Sequence, residues 1–235
     1  NTLTGNTITG NTEHGIWINA NSKNNIIAFN VISNNGNGVY LWQTSNSNSI
    51  TGNTISNNNY SGIILYLSRY NSLTDNTITY STHGITLVAS SNNNSITGNT
   101  ITNNNRNGIY LAFANYNSIT GNTITNNNYG IYDYHRSRYN SIINNTISNN
   151  VNGIELAGIF NNTITGNTIP IVWYGVESYN VIACIVIVVT VMEINAISGV
   201  IGDGVASDGI AWRPMDSDAI PVVIGDGVAS DGVVE

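Results

Sequence analysis

Charge is scarce in this sequence. Lysine and arginine together number 6 in 235 residues and aspartate and glutamate 13, so 8% of residues are charged, against roughly 25% in an ordinary soluble domain. Without a basic patch to neutralise phosphates, nucleic acid is excluded as a partner. Cys184 is the only cysteine, which rules out an intramolecular disulfide and a cysteine-based metal cluster. The longest apolar run, 181–192, has 12 residues, well short of the roughly 20 that a transmembrane helix needs. No leader pattern opens the chain and its first residues already lie in a repeat, as in a mature chain or an excised fragment. Yet 41% of the residues are hydrophobic, enough to build a core. Polarity comes from Asn, Thr, Ser and Gly. Seven carboxylates (Asp203, Asp208, Asp216, Asp218, Asp226, Asp231 and Glu235) fall at the C-terminal end, leaving the first 200 residues nearly neutral.

What is present is a repeat. An Asn-x-Ile-x-x-Asn-x-Ile unit recurs, with paired asparagines at Asn1/Asn6, Asn25/Asn30, Asn48/Asn53, Asn71/Asn76, Asn94/Asn99, Asn117/Asn122, Asn140/Asn145 and Asn162/Asn167. Each unit is followed by a glycine: Gly15, Gly38, Gly62, Gly84, Gly108, Gly130, Gly153 and Gly175, spaced by 22 to 24 residues. So narrow a spread means one coil per repeat. Within a coil, three short stretches alternate with the period of strands. Three inward columns follow, from Leu3 to Ile164, from Ile8 to Ile169 and from Ile16 to Val176, the last with a companion two residues on (Ile18, Leu41, Leu65, Leu87, Leu111, Leu156). A single coil cannot bury them; a stack can. The expected fold is all-β: a right-handed parallel β-helix (β-solenoid) of about eight coils over residues 1–180.

The asparagines are read as structural. Asn accepts left-handed backbone and bonds locally to main chain, and in register its amide can bond the Asn above and below. Asn48, Asn53, Asn71, Asn76, Asn94, Asn99, Asn117 and Asn122 form the regular part of these columns. Gly62, Gly84, Gly108 and Gly130 are expected to meet a backbone requirement before the third strand. A helical alternative fails, because the strands lack a 3.6-residue period and runs such as Asn57–Asn59 are poor helix material.

The repeat, clearest at 94–102 and 117–125 (Asn-Ser-Ile-Thr-Gly-Asn-Thr-Ile-Thr), resembles that of the NosD-like and carbohydrate-binding/sugar-hydrolase group within the pectate-lyase-like superfamily. The resemblance covers about residues 1–180 and implies a parallel β-helix in an extracellular, periplasmic or cell-surface protein. The group's name points to copper, for which no matching ligand set stands in this sequence.

Departures from the repeat are where a function would be grafted. Asp133 takes the column position of Leu111 and Leu156, within Tyr-Asp-Tyr-His-Arg-Ser-Arg at 132–138. Enzymes of the resembled superfamily place carboxylates and a basic residue on an outer face, so Asp133, His135, Arg136 and Arg138 are the catalytic candidates, for a polysaccharide lyase or glycoside hydrolase. The plainer expectation is that Asp133 turns outward and pairs with Arg136 or Arg138. His14 and His83 precede equivalent glycines three coils apart, too far to share a metal, and read as solvated turn residues. An outward column of Trp17, Tyr40, Ile64, Thr86, Tyr110, Tyr132, Glu155 and Glu177 offers Trp17, Tyr40, Tyr110 and Tyr132 as ligand-binding aromatics, though such residues also simply favour strands. Outward threonines such as Thr77/Thr79, Thr100/Thr102 and Thr123/Thr125 resemble the ice-binding face of β-helical antifreeze proteins. Sequons at Asn59, Asn93, Asn144 and Asn161 would accept N-glycans in a secreted setting.

Two further segments are expected. Residues 181–200 hold the apolar run, read as a buried strand or as cover for the last coil. Residues 201–235 form an acidic tail in which Ile-Gly-Asp-Gly-Val-Ala-Ser-Asp-Gly recurs at 201–209 and 224–232. Asp203, Asp208, Asp226 and Asp231 there are weak calcium candidates that match no known loop spacing, including that of the EF-hand; no other cofactor is expected. Open solenoid ends favour head-to-tail association. The first expectation for function is a non-catalytic extracellular or cell-surface structural protein that self-assembles into a filament, sheath or surface layer. Polysaccharide binding or cleavage is the alternative, and ice binding a lesser one.

Overall fold

A computed structural model describes residues 1–157 and 161–169, together with the backbone of the strand Ile182–Cys184. Every described element is a strand. Two short strands and one longer one make each coil, as in Ser95–Thr97, Thr100–Thr102 and Asn107–Ala112. Each strand pairs in parallel with its equivalent one coil away. Three sheets result, of nine, seven and seven strands. Parallel crossovers of this kind are right-handed. The structure is a right-handed parallel β-solenoid.

Seven coils are complete among the described residues, and an eighth begins with Thr163–Thr165 and the bridge from Thr146 to Thr168. The strand Ile182–Cys184, from within the apolar run, adds to the outer edge of the first sheet beside Thr163–Thr165. The eighth glycine, the rest of the run and the acidic tail with its calcium candidates lie outside the described residues.

Register holds the columns. Leu73 pairs with Ile50 and Ile96, Ile78 with Ile55 and Ile101, and Leu87 with Leu65 and Leu111. All nine side chains are completely buried. Burying such a side chain stabilises the fold by about 1.5–3 kcal/mol. The seven strands of the third sheet extend the core over about 29 Å at ~4.8 Å per step.

Asparagine lines the corners of this core. The Oδ1 of Asn99 accepts the backbone N–H of Asn76 at 2.9 Å and its Nδ2–H at 3.0 Å. The Nδ2 of Asn99 donates onward to Asn122 Oδ1 at 3.0 Å and to the Leu73 carbonyl at 2.9 Å. Both Asn76 and Asn99 are buried. The residue before each ladder asparagine is left-handed: Gly98 (φ 67°) precedes Asn99 and Asn93 (φ 57°) precedes Asn94. The corner turns there, and the next side chain swings inward.

A third ladder, not anticipated from the sequence, follows the second strand. It runs Asn35, Asn58, Ser81, Asn104, Asn127 and Asn150, each backbone N–H donating to the next side-chain oxygen. The Asn-Asn-Asn runs supply it. The glycines before the third strand also need a different reason from the one expected. None of the seven described ones has a positive φ. A Cβ on Gly108 would instead overlap the Ile124 side chain and the Gly130 carbonyl oxygen. Space, not backbone freedom, demands glycine there.

Candidate functional site

The outer face of the third sheet is where the aromatic side chains converge. On Asn107–Ala112 and Tyr129–Tyr134, Ile109 and Ile131 point inward, and Tyr110 and Tyr132 therefore point out, paired in register. Their rings lie 5.8 Å apart. The residue before each glycine joins the same face, so His83 stacks on Tyr110 (5.7 Å, 23°) and Tyr129 on Tyr132 (4.9 Å, 20°). Tyr134 completes the group, 5.4 Å from Tyr132. Together with Arg106, Asn107 and Asn128 these residues line an open cleft of about 590 Å³.

The cleft is aromatic and polar, with Arg106 in its lining and Glu155 in register beside Tyr132. His83 is half-buried in the strand His83–Val88, with its Nδ1 buried and unpartnered, and is not the solvated turn residue expected. Burial, aided by the nearby Arg106 charge, pushes its pKa down to about 4. The imidazole is therefore neutral at pH 7. Burial also raises the Tyr110 and Tyr132 phenols, as do their neighbours, so both keep their protons and can donate hydrogen bonds. Flat rings edged by hydroxyl, amide and guanidinium donors are suited to a ligand with an apolar face and a rim of hydroxyls.

The catalytic candidates do not assemble. Asp133 is completely buried in the column between Leu111 and Leu156, so it neither faces the outside nor turns outward to pair with an arginine. Strand register dictates this: Tyr132 and Tyr134 take the two outward positions on either side. Asn140 Nδ2 stands 3.4 Å from Asp133 Oδ2, Ser137 also bonds the carboxyl, and Oδ1 is buried without a partner. Desolvation outweighs those bonds and raises the carboxyl to about 7. His135, Arg136 and Arg138 are exposed at the following corner, on the other side of the wall. His135 stacks on Phe113, and the Arg138 backbone N–H donates to Asn115.

Of the four aromatic candidates, Tyr110 and Tyr132 line the cleft. Trp17 and Tyr40 sit at the first two coils with His14 and Trp42, where the His14 ring meets Tyr40 at 4.7 Å and Trp17 at 5.6 Å. Ile64 and Thr86 separate the two groups. His83, Arg106, Tyr129 and Tyr134 were not read from the sequence as one site. Aligning the residues before successive glycines puts His83, Asn107 and Tyr129 in one column, which is the signal that was there. The threonines of the second sheet do face outward in register, Thr77 beside Thr100 and Thr100 beside Thr123. Among the described residues, no three His, Cys, Asp or Glu side chains come together as a metal site, and no helix is long and apolar enough to cross a membrane.

A family model described as the right handed beta helix region matches residues 1–147 and again 37–188. The chain belongs to this β-helix family. No curated protein sequence matches this β-helix chain. Solved structures similar to it include the A-module of the Azotobacter vinelandii mannuronan C-5 epimerase AlgE6, at 16% identity and TM-score 0.59, covering 63% of this chain and 46% of that one. The periplasmic alginate epimerase AlgG is similar at 23% identity and TM-score 0.64, covering 68% and 44%. XylC in complex with xylose is similar at 17% identity and TM-score 0.55, covering 72% and 34%. This β-helix chain spans less than half the length of each. At these identities the likeness is one of fold.

Proposed function

We propose that this β-helix protein binds a polysaccharide through the tyrosine-lined cleft on its third sheet, outside the cytoplasm or at the cell surface. The carrying observation is the convergence of Tyr110, Tyr129, Tyr132 and Tyr134 with His83 and Arg106 around one cleft. Pyranose rings offer the apolar faces that such side chains stack against. Binding is favoured over hydrolysis because paired-carboxylate hydrolysis needs two carboxyl groups flanking the scissile bond, and the residues lining the cleft include none. The similar solved structures are described as acting on mannuronan or alginate or as binding xylose, and the Asn-x-Ile repeat resembles that of the NosD-like carbohydrate-binding group. Both support a glycan ligand.

The test is a glycan array of the chain, followed by affinity measurements on Tyr110→Ala and Tyr132→Ala. An aromatic contact of about 0.5–1.5 kcal/mol predicts a loss of roughly 3- to 10-fold for each. Unchanged affinity in both variants would move the site elsewhere.

A second reading, self-assembly into a filament or layer, draws on the first rung. Strands Thr2–Thr4, Thr7–Thr9 and His14–Ile18 are paired on one side only, and Leu3, Ile8 and Ile18 are only partly buried. Wherever that rung faces solvent, its free strand edges favour another copy of the chain. Electron microscopy across a concentration series decides it: regular filaments support the reading, and discrete particles at every concentration remove it.

A further inference from the structure

Aromatic contact does not stop at the cleft. The Tyr134 ring lies 3.5 Å from that of His135, across the edge of the third sheet. His135 in turn stacks on Phe113 (5.7 Å, 21°) in the neighbouring coil. Three residues beyond Phe113 and four beyond His135, Tyr116 and Tyr139 stack almost parallel (4.9 Å, 7°). All four rings are exposed. The wall of the solenoid therefore carries rings from the cleft, over the sheet edge, to the corner that opens the next coil.

The backbone at these places shows that the rings are not there by strand preference. Phe113 (φ 54°), His135 (φ 57°), Tyr116 (φ 57°) and Tyr139 (φ 56°) are all left-handed. Phenylalanine and tyrosine are poorly suited to that conformation, which histidine tolerates better. Other coils use residues without rings at the same corners: Gln43, Leu67 and Ala89 in place of Phe113 and His135, and Asn24, Ser47, Asn93 and Asn161 in place of Tyr116 and Tyr139. Tyr70 is the one further ring at the second corner. Stacked pairs at both corners occur in the two coils whose third strands carry Tyr110, Tyr132 and Tyr134. Phe29 and Tyr80 are left-handed rings at other corners, so it is the stacking in pairs beside the cleft, not the backbone alone, that marks these rings for use.

We infer that the corner rings Phe113, His135, Tyr116 and Tyr139 are a second glycan subsite, so that a bound chain runs across the solenoid axis, around coils five and six, instead of along it. This rests on the cleft reading and deepens it. The occupant is the continuation of the same glycan: His135 and Phe113 carry the ring contacts of the cleft onward from Tyr134, Tyr116 and Tyr139 stand three and four residues further along the same coils, and the exposed Arg136 on the same corner adds donors for its hydroxyl or carboxylate groups. A chain of two sugars fills the cleft alone. A longer chain reaches the corner.

The experiment uses the full chain and oligosaccharides of alginate, xylan and cellulose, each as disaccharide and octasaccharide, with affinity read by calorimetry. The variants are Phe113→Ala and the double change Tyr116→Asn with Tyr139→Asn, which copy Ala89 and Asn93 at the same corners. Expected is an octasaccharide affinity about tenfold weaker in the double variant, a smaller loss in Phe113→Ala, disaccharide affinity unchanged, and an unchanged or higher melting temperature. Octasaccharide binding that survives both changes overturns the corner subsite and leaves the cleft standing. Equal losses for both chain lengths also overturn it. A wild-type chain that binds none of the three glycans overturns the cleft reading and this one together.

Discussion

Asp133 is paired in register with Leu111 on the neighbouring strand, and so holds a carboxyl group in a column that leucine fills on both sides. Burial raises that carboxyl from 3.8 to about 7. In the pH range between those values the folded chain holds a proton that the unfolded chain has released. Stability is then full below about pH 4 and falls as pH rises, levelling off above about 7; the whole loss is at most roughly 4 kcal/mol. Asp133→Leu should remove that slope and raise the melting temperature at pH 8. A variant with the same pH profile as the wild type would show that Asp133 does not titrate in this range.

The third ladder has a weak rung. Ser81 stands where its neighbours are Asn58 and Asn104, and it accepts the Asn58 backbone N–H at 3.3 Å while the buried Asn58 Nδ2 has no partner. Ser81→Asn should supply an oxygen that takes both donors, as those of Asn58, Asn127 and Asn150 do. The gain should be about 1 kcal/mol, one net hydrogen bond, read from the denaturant midpoint. No gain would mean that the corner cannot hold the larger side chain.

Removing a rung should cost far more. Asn99→Ala leaves the Asn76 backbone N–H without its acceptor and takes one bond each from Asn76 Nδ2, Asn122 Oδ1 and the Leu73 carbonyl. A buried N–H left without a partner costs about 1–3 kcal/mol and each further lost bond about 1 kcal/mol, so the variant should lose several kcal/mol. A loss below 1 kcal/mol would show that water replaces the amide.

Gly108→Ala should be similarly damaging, because the new methyl group meets the Ile124 side chain and the Gly130 carbonyl. Overpacking of this sort costs about 1–3 kcal/mol. Gly121→Ala, where the added methyl meets nothing but φ is +65°, should cost about 1–2 kcal/mol through its backbone alone. Equal tolerance of both changes would contradict the steric account.

His83 should titrate near pH 4 in an NMR pH series, because burial and Arg106 hold its imidazole neutral. Its contribution to stability is present above about pH 6.5 and is lost as pH falls towards 4. Glycan affinity should accordingly be flat between pH 6 and 8. A midpoint near 6.5 would mean that the cleft is wetter than the structure shows.

The repeat period, the parallel solenoid and the inward columns were legible in the residues, because each coil repeats the same local alternation and only stacking can bury it. The first two asparagine ladders followed from their regular spacing. The third was hidden in Asn-Asn-Asn runs, where nothing local says which of three identical amides turns inward; the left-handed corner residue decides that. The rationale for the glycines was hidden too, since it depends on how closely the Ile124 side chain approaches from the next coil.

The functional candidates divide along the same line. Sequence alone marked 132–138 as the place where the pattern breaks, and it identified Tyr110 and Tyr132 as outward. Only the stacked structure showed that Asp133 stays inside while His135, Arg136 and Arg138 stand outside, because register and the pleat assign every side chain a face regardless of its chemistry. Only stacking, too, brought His83, Arg106, Tyr129 and Tyr134 together from different coils, across one strand spacing at a time. Period and face are local properties of a chain; a cleft assembled from neighbouring coils is not.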